Sequence, residues 1–330
     1  MFFKVHQLIF LVVLFSGSMI SLSANSWFTV WLGLEINLMS MIPLILIKLN
    51  PKLTESAIKY FLAQAMASIL MIFSVTLNFF FYNIITLDAM ELLLISSISM
   101  KLGAAPFHFW FPQVTVGLNW TQNILIFTWQ KVAPFFVIMT LSSKYLILIS
   151  MFSALVGALG GFNQLVMKLT MTYSSISHTG WMLSASLLSE NFWLSYFFMY
   201  SLLSIVIIHF FMKNSIYKIN QVFSCSDSTL NKYVAAMNIL SLGGLPPLMG
   251  FIAKLSVIII LVKKNMIVMF LIMITASLIS LFFYVRIIYS SMMSNTKTFK
   301  NKTHAFKPFS SLFFLSVFFN LMCPVMFFLT

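Results

Sequence analysis

Apolar residues fill this chain in long stretches, and polar residues collect in the short intervals between them. Runs of about 18 or more predominantly apolar residues recur from end to end, each long enough to cross about 30 Å of hydrocarbon as a helix. The pattern predicts about eleven spans, near 4–23, 27–48, 58–81, 88–111, 120–141, 145–165, 170–189, 193–212, 231–262, 266–290 and 310–329. No polar segment is long enough to fold as a separate soluble domain. Residues 1–330 are therefore expected to form one polytopic domain, an all-α membrane protein.

Two spans carry helix breakers. The ninth is too long for a straight crossing, and its centre, LSLGGLPPLMG, contains Gly243, Gly244, Pro246 and Pro247. The fourth is interrupted at GAAPFHFWFP, around Pro106 and Pro112. Such residues interrupt the helical hydrogen-bond ladder, and membrane helices tolerate this where the freed groups face protein or water. The two breaks lie five spans apart, so residues 1–141 and 145–290 begin on opposite faces. That is the pattern of an inverted-topology repeat of two five-helix units, each with a broken helix, with 310–329 as a further C-terminal helix.

The loop charges are strongly one-sided. With the N-terminus inside, Lys4, Lys48, Lys52, Lys59, Lys168, Lys213, Lys218, Lys232, Lys297, Lys300, Lys302 and Lys307 fall on one face. The other face receives Lys144, Lys263 and Lys264 with Asp88, Glu91 and Glu190, a bias that follows the positive-inside rule. The same distribution explains the net charge of +13 without nucleic acid as a partner. At 61% hydrophobic and 8% charged residues, with mean hydropathy +1.01, the chain falls far from the roughly 25% charged content of a soluble domain.

Lys4, the apolar run Leu8–Ile20 and the small residues Ser21–Ser26 resemble a signal peptide, but SLSANS lacks a clear A-x-A site and more spans follow at once. A retained first helix is the expectation. Arg286 is the single arginine, and 24 Met and 37 Phe accompany the lysines, a composition that fits an AT-biased genome. With no Arg-rich amphipathic leader, an organellar form of this protein is expected to be made inside the organelle. Cys225 and Cys323 belong to no CxxC or metal-spaced cluster, and His6, His108, His178, His209 and His304 show no paired-ligand spacing. No metal or cofactor bound by this chain is expected.

Four charges stand where charge is costly: Glu35, Lys101, Lys131 and Lys254 lie inside otherwise apolar spans. A charge at the bilayer centre costs about 2.5–3.5 kcal/mol on insertion scales, so such residues survive mainly along a polar path. Lys101 precedes Pro106 by five residues and Lys254 follows Pro247 by seven, and a broken helix offers carbonyls and amides that can hold water there. A buried amine favours its neutral form, and a nearby carboxylate favours the charged one. Two ammoniums about 10 Å apart repel by about 1.7 kcal/mol at an effective dielectric of 20. A row of such amines can therefore pass on a charge change, as a proton relay requires. Glu35, in WLGLEINLMS, is the intramembrane acid, and Lys101 is its expected partner; Lys131, in TWQKVAPFF, is the next station and Lys254 lies beyond.

The plainer account of each lysine is a structural ion pair or a side chain snorkelling to the interface. Arg286 and Lys144, near span ends, read as interfacial anchors, while Asp88 and Glu91 suit a helix N-terminus. His108 and His178 are candidate relay members through water, with a neutral histidine bonded to a carbonyl as the alternative. The run TMTYSSISHT could line a hydrated path or bond across helices. GALGGFNQ contains Gly157 and Gly161 in a GxxxG spacing that points to close helix packing, because the strand–turn–helix context of a phosphate loop is missing. The aromatic FHFW segment reads as interface belt and packing before a quinone site.

Taken together, KLGAAPFHFWFPQVTVGLNW, the WQK and APF that follow, GALGG with NQ, YSSISHTGWM and LSLGGLPPLMGFIAKL resemble the antiporter-like membrane-arm subunits of respiratory complex I, NADH:ubiquinone oxidoreductase, and through them the Mrp-type cation/proton antiporters. The likeness runs from about Glu35 to about Arg286. It implies an antiporter-like fold and a proton-pumping module of the mitochondrial inner membrane, multi-pass, with the lysine-rich face and N-terminus on the matrix side. It implies that NADH, FMN, iron–sulfur clusters and ubiquinone are bound by partner subunits of the membrane and redox arms. By the same likeness Glu35 falls on the family's helix carboxylate, Lys101 and Lys254 on the lysines of the two broken helices, and Lys131 on the connecting lysine. Bacterial members are longer, and this chain matches the shorter form of animal mitochondria. Two further readings remain beside it: a self-standing cation/proton antiporter exchanging Na⁺ or K⁺, and a purely structural membrane-arm spacer.

Overall fold

Among the described residues the long apolar runs become helices, singly or in pairs, because in lipid only a helix satisfies a single segment's backbone from within. A computed structural model describes residues 5–47, 50–80, 87–141, 144–222, 229–246, 248–294, 316–318 and 320. Among them lie α1 (Val5–Leu22), α2 (Trp27–Ile45), α3 (Pro51–Phe80), α4 (Leu87–Leu102), α5 (Trp110–Gly117), α6 (Trp120–Phe127), α7 (Trp129–Met139), α8 (Tyr145–Gly161), α9 (Met167–Ser186), α10 (Glu190–Lys213), α11 (Thr229–Gly243), α12 (Met249–Lys263) and α13 (Ile267–Ser294). A short 3₁₀ turn at Ile219–Gln221 and an isolated bridge between Val166 and Lys218 complete the described structure. Among the described residues, five helices are long and apolar enough to cross a membrane: α1, α2, α3, α10 and the Ile267–Tyr289 part of α13. Most of the expected 310–329 helix lies outside the described residues.

The chain forms two compact units, Met1–Ser153 and Ala154–Thr330. In the first, α1 and α2 pack backbone to backbone through Gly17 and Gly33; a Cβ on Gly33 would stand 2.6 Å from the Ser21 amide. In the second, Gly157 plays the same part against the Ser177 backbone of α9, which bears out the packing role expected for that glycine.

Both expected breaks are present, and both end a helix in the same way. Gly103 has φ +68° and Gly244 φ +83°, the left-handed region that glycine enters without strain. Ala104 N–H donates to the Ser99 carbonyl and Gly103 N–H to Met100; Leu245 N–H donates to Leu240 and Gly244 N–H to Ser241. These are two Schellman caps, with Pro106 and Pro246 beyond them to stop the helix. Pro247 lies outside the described residues.

A third interruption divides the predicted fifth span into α6 and α7. Pro134 inside α7 has no N–H for the Gln130 carbonyl and crowds it. Six residues before that proline the backbone departs from helix at Thr128 (φ −111°, ψ −76°), whose hydroxyl donates to the Ile124 carbonyl at 2.7 Å. Lys131 thus sits in the first turn after a break, as Lys101 sits in the last turn before one.

Candidate functional site

In the first unit, the end of α4 places Lys101 against α3 and the start of α5. Capping there is done by neutral donors: Trp110 Nε1 donates to the Met100 carbonyl at 2.9 Å, and Gln64 Nε2 to the Lys101 carbonyl at 3.2 Å. The helix end does not need the Lys101 amine, which has no hydrogen-bond partner among the described residues although the side chain is 7% exposed. Lys101 lines a small cavity together with Lys131, Asn37, Tyr60, Gln64 and Gln130. Its free space is about 20 Å³, roughly the room that one water requires.

Lys131 is buried, and its amine lies 5.7 Å from the Phe111 ring centroid, within the range of a cation–π contact. Around the cavity, Tyr60 Oη donates to Gln130 Oε1 (3.3 Å), and Gln130 Nε2 donates to Asn37 Oδ1 (3.0 Å), tying α3, α7 and α2 together. Half-buried Glu35, two residues before Asn37, acts electrostatically on both Lys101 and Tyr60. Among the described residues it forms no direct ion pair with Lys101 and does not line the cavity.

In the second unit the broken helix is capped by the lysine itself. Lys254 Nζ, from α12, donates to the Gly243 carbonyl at 2.9 Å and to the Leu242 carbonyl at 3.4 Å. These are orphan carbonyls of α11, at the negative end of its dipole, where a cation is favoured. The amine also lies 5.9 Å from the Trp181 ring centroid. A Cβ on Gly244 would come within 3.0 Å of Lys254 Cδ and 3.1 Å of Nζ, so the glycine leaves the amine its route to the carbonyls.

Buried His178 has Nδ1 2.9 Å from the Tyr196 hydroxyl, with the Tyr200 ring 5.2 Å away. The Ser/Thr hydroxyls around it donate to carbonyls three residues earlier on their own helix, Thr172, Ser174, Ser175, Ser177 and Thr179 alike. Their donor capacity is spent locally, not on a chain along α9.

Thus the first unit brings together Glu35, Lys101 and Lys131, and the second holds Lys254 and His178. His108 sits in the turn after the first break, with Nδ1 3.3 Å from its own neighbour's carbonyl, Pro106, and its ring 4.4 Å from Phe109; it does not line the cavity. Arg286 donates to the Phe162 carbonyl at 3.0 Å, as an anchoring residue does. Among the described residues no three His, Cys, Asp or Glu side chains group as metal ligands; Cys225, Cys323 and His304 lie outside them.

Sequence reasoning missed Asn37, Gln64 and Gln130, although an amide inside an apolar span is itself a signal, because a buried amide needs a partner. It also missed Tyr60, Tyr196, Tyr200 and Tyr284. Nothing in the sequence separates these buried tyrosines from those of an interface belt.

The family profile for the NADH:quinone oxidoreductase/Mrp antiporter transmembrane region matches residues 24–280, which include all four intramembrane charges. An NADH-ubiquinone oxidoreductase chain 2 from Anopheles gambiae is 42% identical over 298 residues, 88% of this chain and 87% of that one. The chain belongs to the NADH-ubiquinone oxidoreductase chain 2 family. As a member it is a multi-pass membrane subunit of NADH:ubiquinone oxidoreductase. The family's fold extends to solved structures. A chain of respiratory complex I from Thermus thermophilus superposes with TM-score 0.85 at 20% identity, covering 98% of this chain and 79% of that one. A chain of the Mrp complex from Dietzia sp. gives 0.75 at 16% identity, covering 84% and 59%. At these identities the shared property is the antiporter-like helical fold.

Proposed function

We propose that this chain is a proton-translocating module of the complex I membrane arm, working through Glu35, Lys101, Lys131 and Lys254. The observation that carries the reading is the water-sized cavity lined by both Lys101 and Lys131. Two amines bridged by one water can exchange a proton through it, and at the roughly 5 Å that such a bridge spans each feels the other's charge by about 3.3 kcal/mol at an effective dielectric of 20. Glu35 biases the first of them from α2. Lys254 holds the carbonyls of a broken helix, a contact that weakens when the amine gives up its proton and with it the charge that strengthens the bonds. His108 and His178 are secondary relay candidates, and Pro106, Pro246 and Pro247 are the breaks that admit water.

On this reading NADH oxidation and ubiquinone reduction occur in partner subunits, which hold NADH, FMN, iron–sulfur clusters and ubiquinone. Their free energy reaches this chain as a change in charge. Residues 1–141 and 145–290 are the two inverted repeats, supported by the identical capping motifs at Gly103 and Gly244. The membrane is the mitochondrial inner membrane, with the lysine-rich face and the N-terminus towards the matrix.

A second reading, a stand-alone cation/proton antiporter, draws on the fold shared with the Mrp chain. Native electrophoresis of gently solubilised membranes separates the two. Co-migration with a large NADH-oxidising band supports the complex I module, whereas a small NADH-inactive species that exchanges Na⁺ or K⁺ supports the antiporter. Within the complex, Lys101→Met or Lys254→Gln should abolish pumping while the complex still assembles. Normal pumping in both variants would leave only the structural spacer.

A further inference from the structure

The tyrosines around His178 form a site that the lysine relay does not use. Tyr196, Tyr200 and Tyr284 are each 2–3% exposed, and Tyr196 and Tyr200 stand one helical turn apart on α10. A phenol buried in lipid-embedded protein needs a polar partner. Tyr196 finds it in Nδ1 of His178, at 2.9 Å from α9, and Tyr200 finds it in Ser175. Tyr284, from α13, lies within electrostatic reach of both.

The other elements packed on α9 bring one more charge. Lys254 of α12 reaches the Trp181 ring, one turn beyond His178, and the 154–161 part of α8 carries no titratable side chain.

We propose that Tyr196 is a positioning residue for His178: its hydroxyl, turning between donor and acceptor, sets which imidazole nitrogen holds the proton and so lets the histidine take one up and release it. Neutral His178 with its proton on Nε2 accepts the Tyr196 O–H at Nδ1. After one proton is added, the imidazolium donates Nδ1–H to the phenol oxygen and the hydroxyl hydrogen turns away by rotation about its C–O bond. The phenol gains and loses nothing. One proton enters and one later leaves, and no neighbouring carboxylate is required to hold the ring.

This inference rests on the proton-translocating reading above. Its test is complex I carrying Tyr196→Phe, reconstituted in liposomes, with protons pumped per NADH oxidised read across pH. Phenylalanine keeps the ring packing and removes the hydroxyl. The variant loses a hydrogen bond in both protonation states, the stronger one to the imidazolium, and the difference is expected to move the pumping profile to lower pH by about 0.5–1 unit. The control Tyr233→Phe, at an exposed position, should leave the profile where it was. A Tyr196→Phe profile superimposed on wild type overturns the proposal. Should that variant fail to assemble, Tyr196→Leu is read in the same way, with the same shift expected and the same outcome fatal. Failure of the underlying reading looks different: Lys101→Met and Lys254→Gln would then pump normally, whatever Tyr196 does.

Discussion

Replacing Gly244 with alanine should damage this protein twice, and both effects can be worked from the geometry. The residue has φ +83°, where an L side chain costs about 1–2 kcal/mol. The new methyl would also press on Lys254, 3.0 Å from Cδ and 3.1 Å from Nζ, and push the amine off the Gly243 carbonyl it now reaches at 2.9 Å. A hydrogen bond to a charged group contributes about 1.5–3 kcal/mol. Together the expected loss is about 2.5–5 kcal/mol, about 60-fold or more in the population of the intact break. The assay is the amount of assembled NADH-oxidising complex on a native gel, followed by pumping per NADH in what remains. Gly243→Ala is the internal comparison, since its methyl meets Tyr284 at 3.3 Å and the Leu281 Cα at 3.8 Å, in a backbone without a positive φ. If Gly244→Ala assembles and pumps like wild type while Gly243→Ala does not, the Lys254 cap is not what holds this break.

Three further outcomes follow from the first unit. Leu38→Phe enlarges a buried wall of the 20 Å³ cavity and should stop pumping without touching a titratable group; a variant that pumps normally would show that the cavity carries no proton. Gln130→Leu removes the bridge between Tyr60 and Asn37 and should destabilise the unit by about 1–3 kcal/mol, read as a lower melting temperature of the complex. Pro134→Ala restores the N–H that Gln130's carbonyl lacks and should join α6 to α7, so amide protection at residue 134 should appear and pumping should fall as Lys131 is re-aimed.

What could be read in the sequence was what single residues reveal by being out of place. Glu35, Lys101, Lys131 and Lys254 stood out as charges in apolar runs, and GAAPF and GGLPP stood out as breaks. The structure places the breaks at Gly103 and Gly244 as expected. The division at Thr128 was illegible, because a lone proline such as Pro134 is tolerated in many membrane helices and its effect depends on what packs beside it. The amide network of Asn37, Gln64 and Gln130 was obscured for a related reason. Each amide is separated in sequence by tens of residues from the group it bonds, so its partner exists only once α2, α3, α4 and α7 are assembled. For the serines and threonines of α9 the sequence left a hydrated path and bonds across helices both open; their hydroxyls donate to their own helix, and Ser175 also meets Tyr200 of α10.

The two breaks share a capping motif but differ in who covers the freed carbonyls, and this difference has a functional consequence. At the end of α4 the covering groups are an indole N–H and a carboxamide, neither of which changes charge, so protonation of Lys101 can vary while the break stays intact. At the end of α11 the covering group is the Lys254 amine, so every change in its protonation is also a change in the cap. The first arrangement suits a station that passes a proton through fixed geometry. The second ties proton occupancy to the conformation of a helix end, as a step that must convert charge into movement requires. Exchanging the designs tests the distinction: in Lys254→Gln a neutral donor takes over the cap, so the break should persist and assembly should be retained, while pumping should be lost. Normal pumping in Lys254→Gln would mean that the amine's charge is not the feature the site depends on.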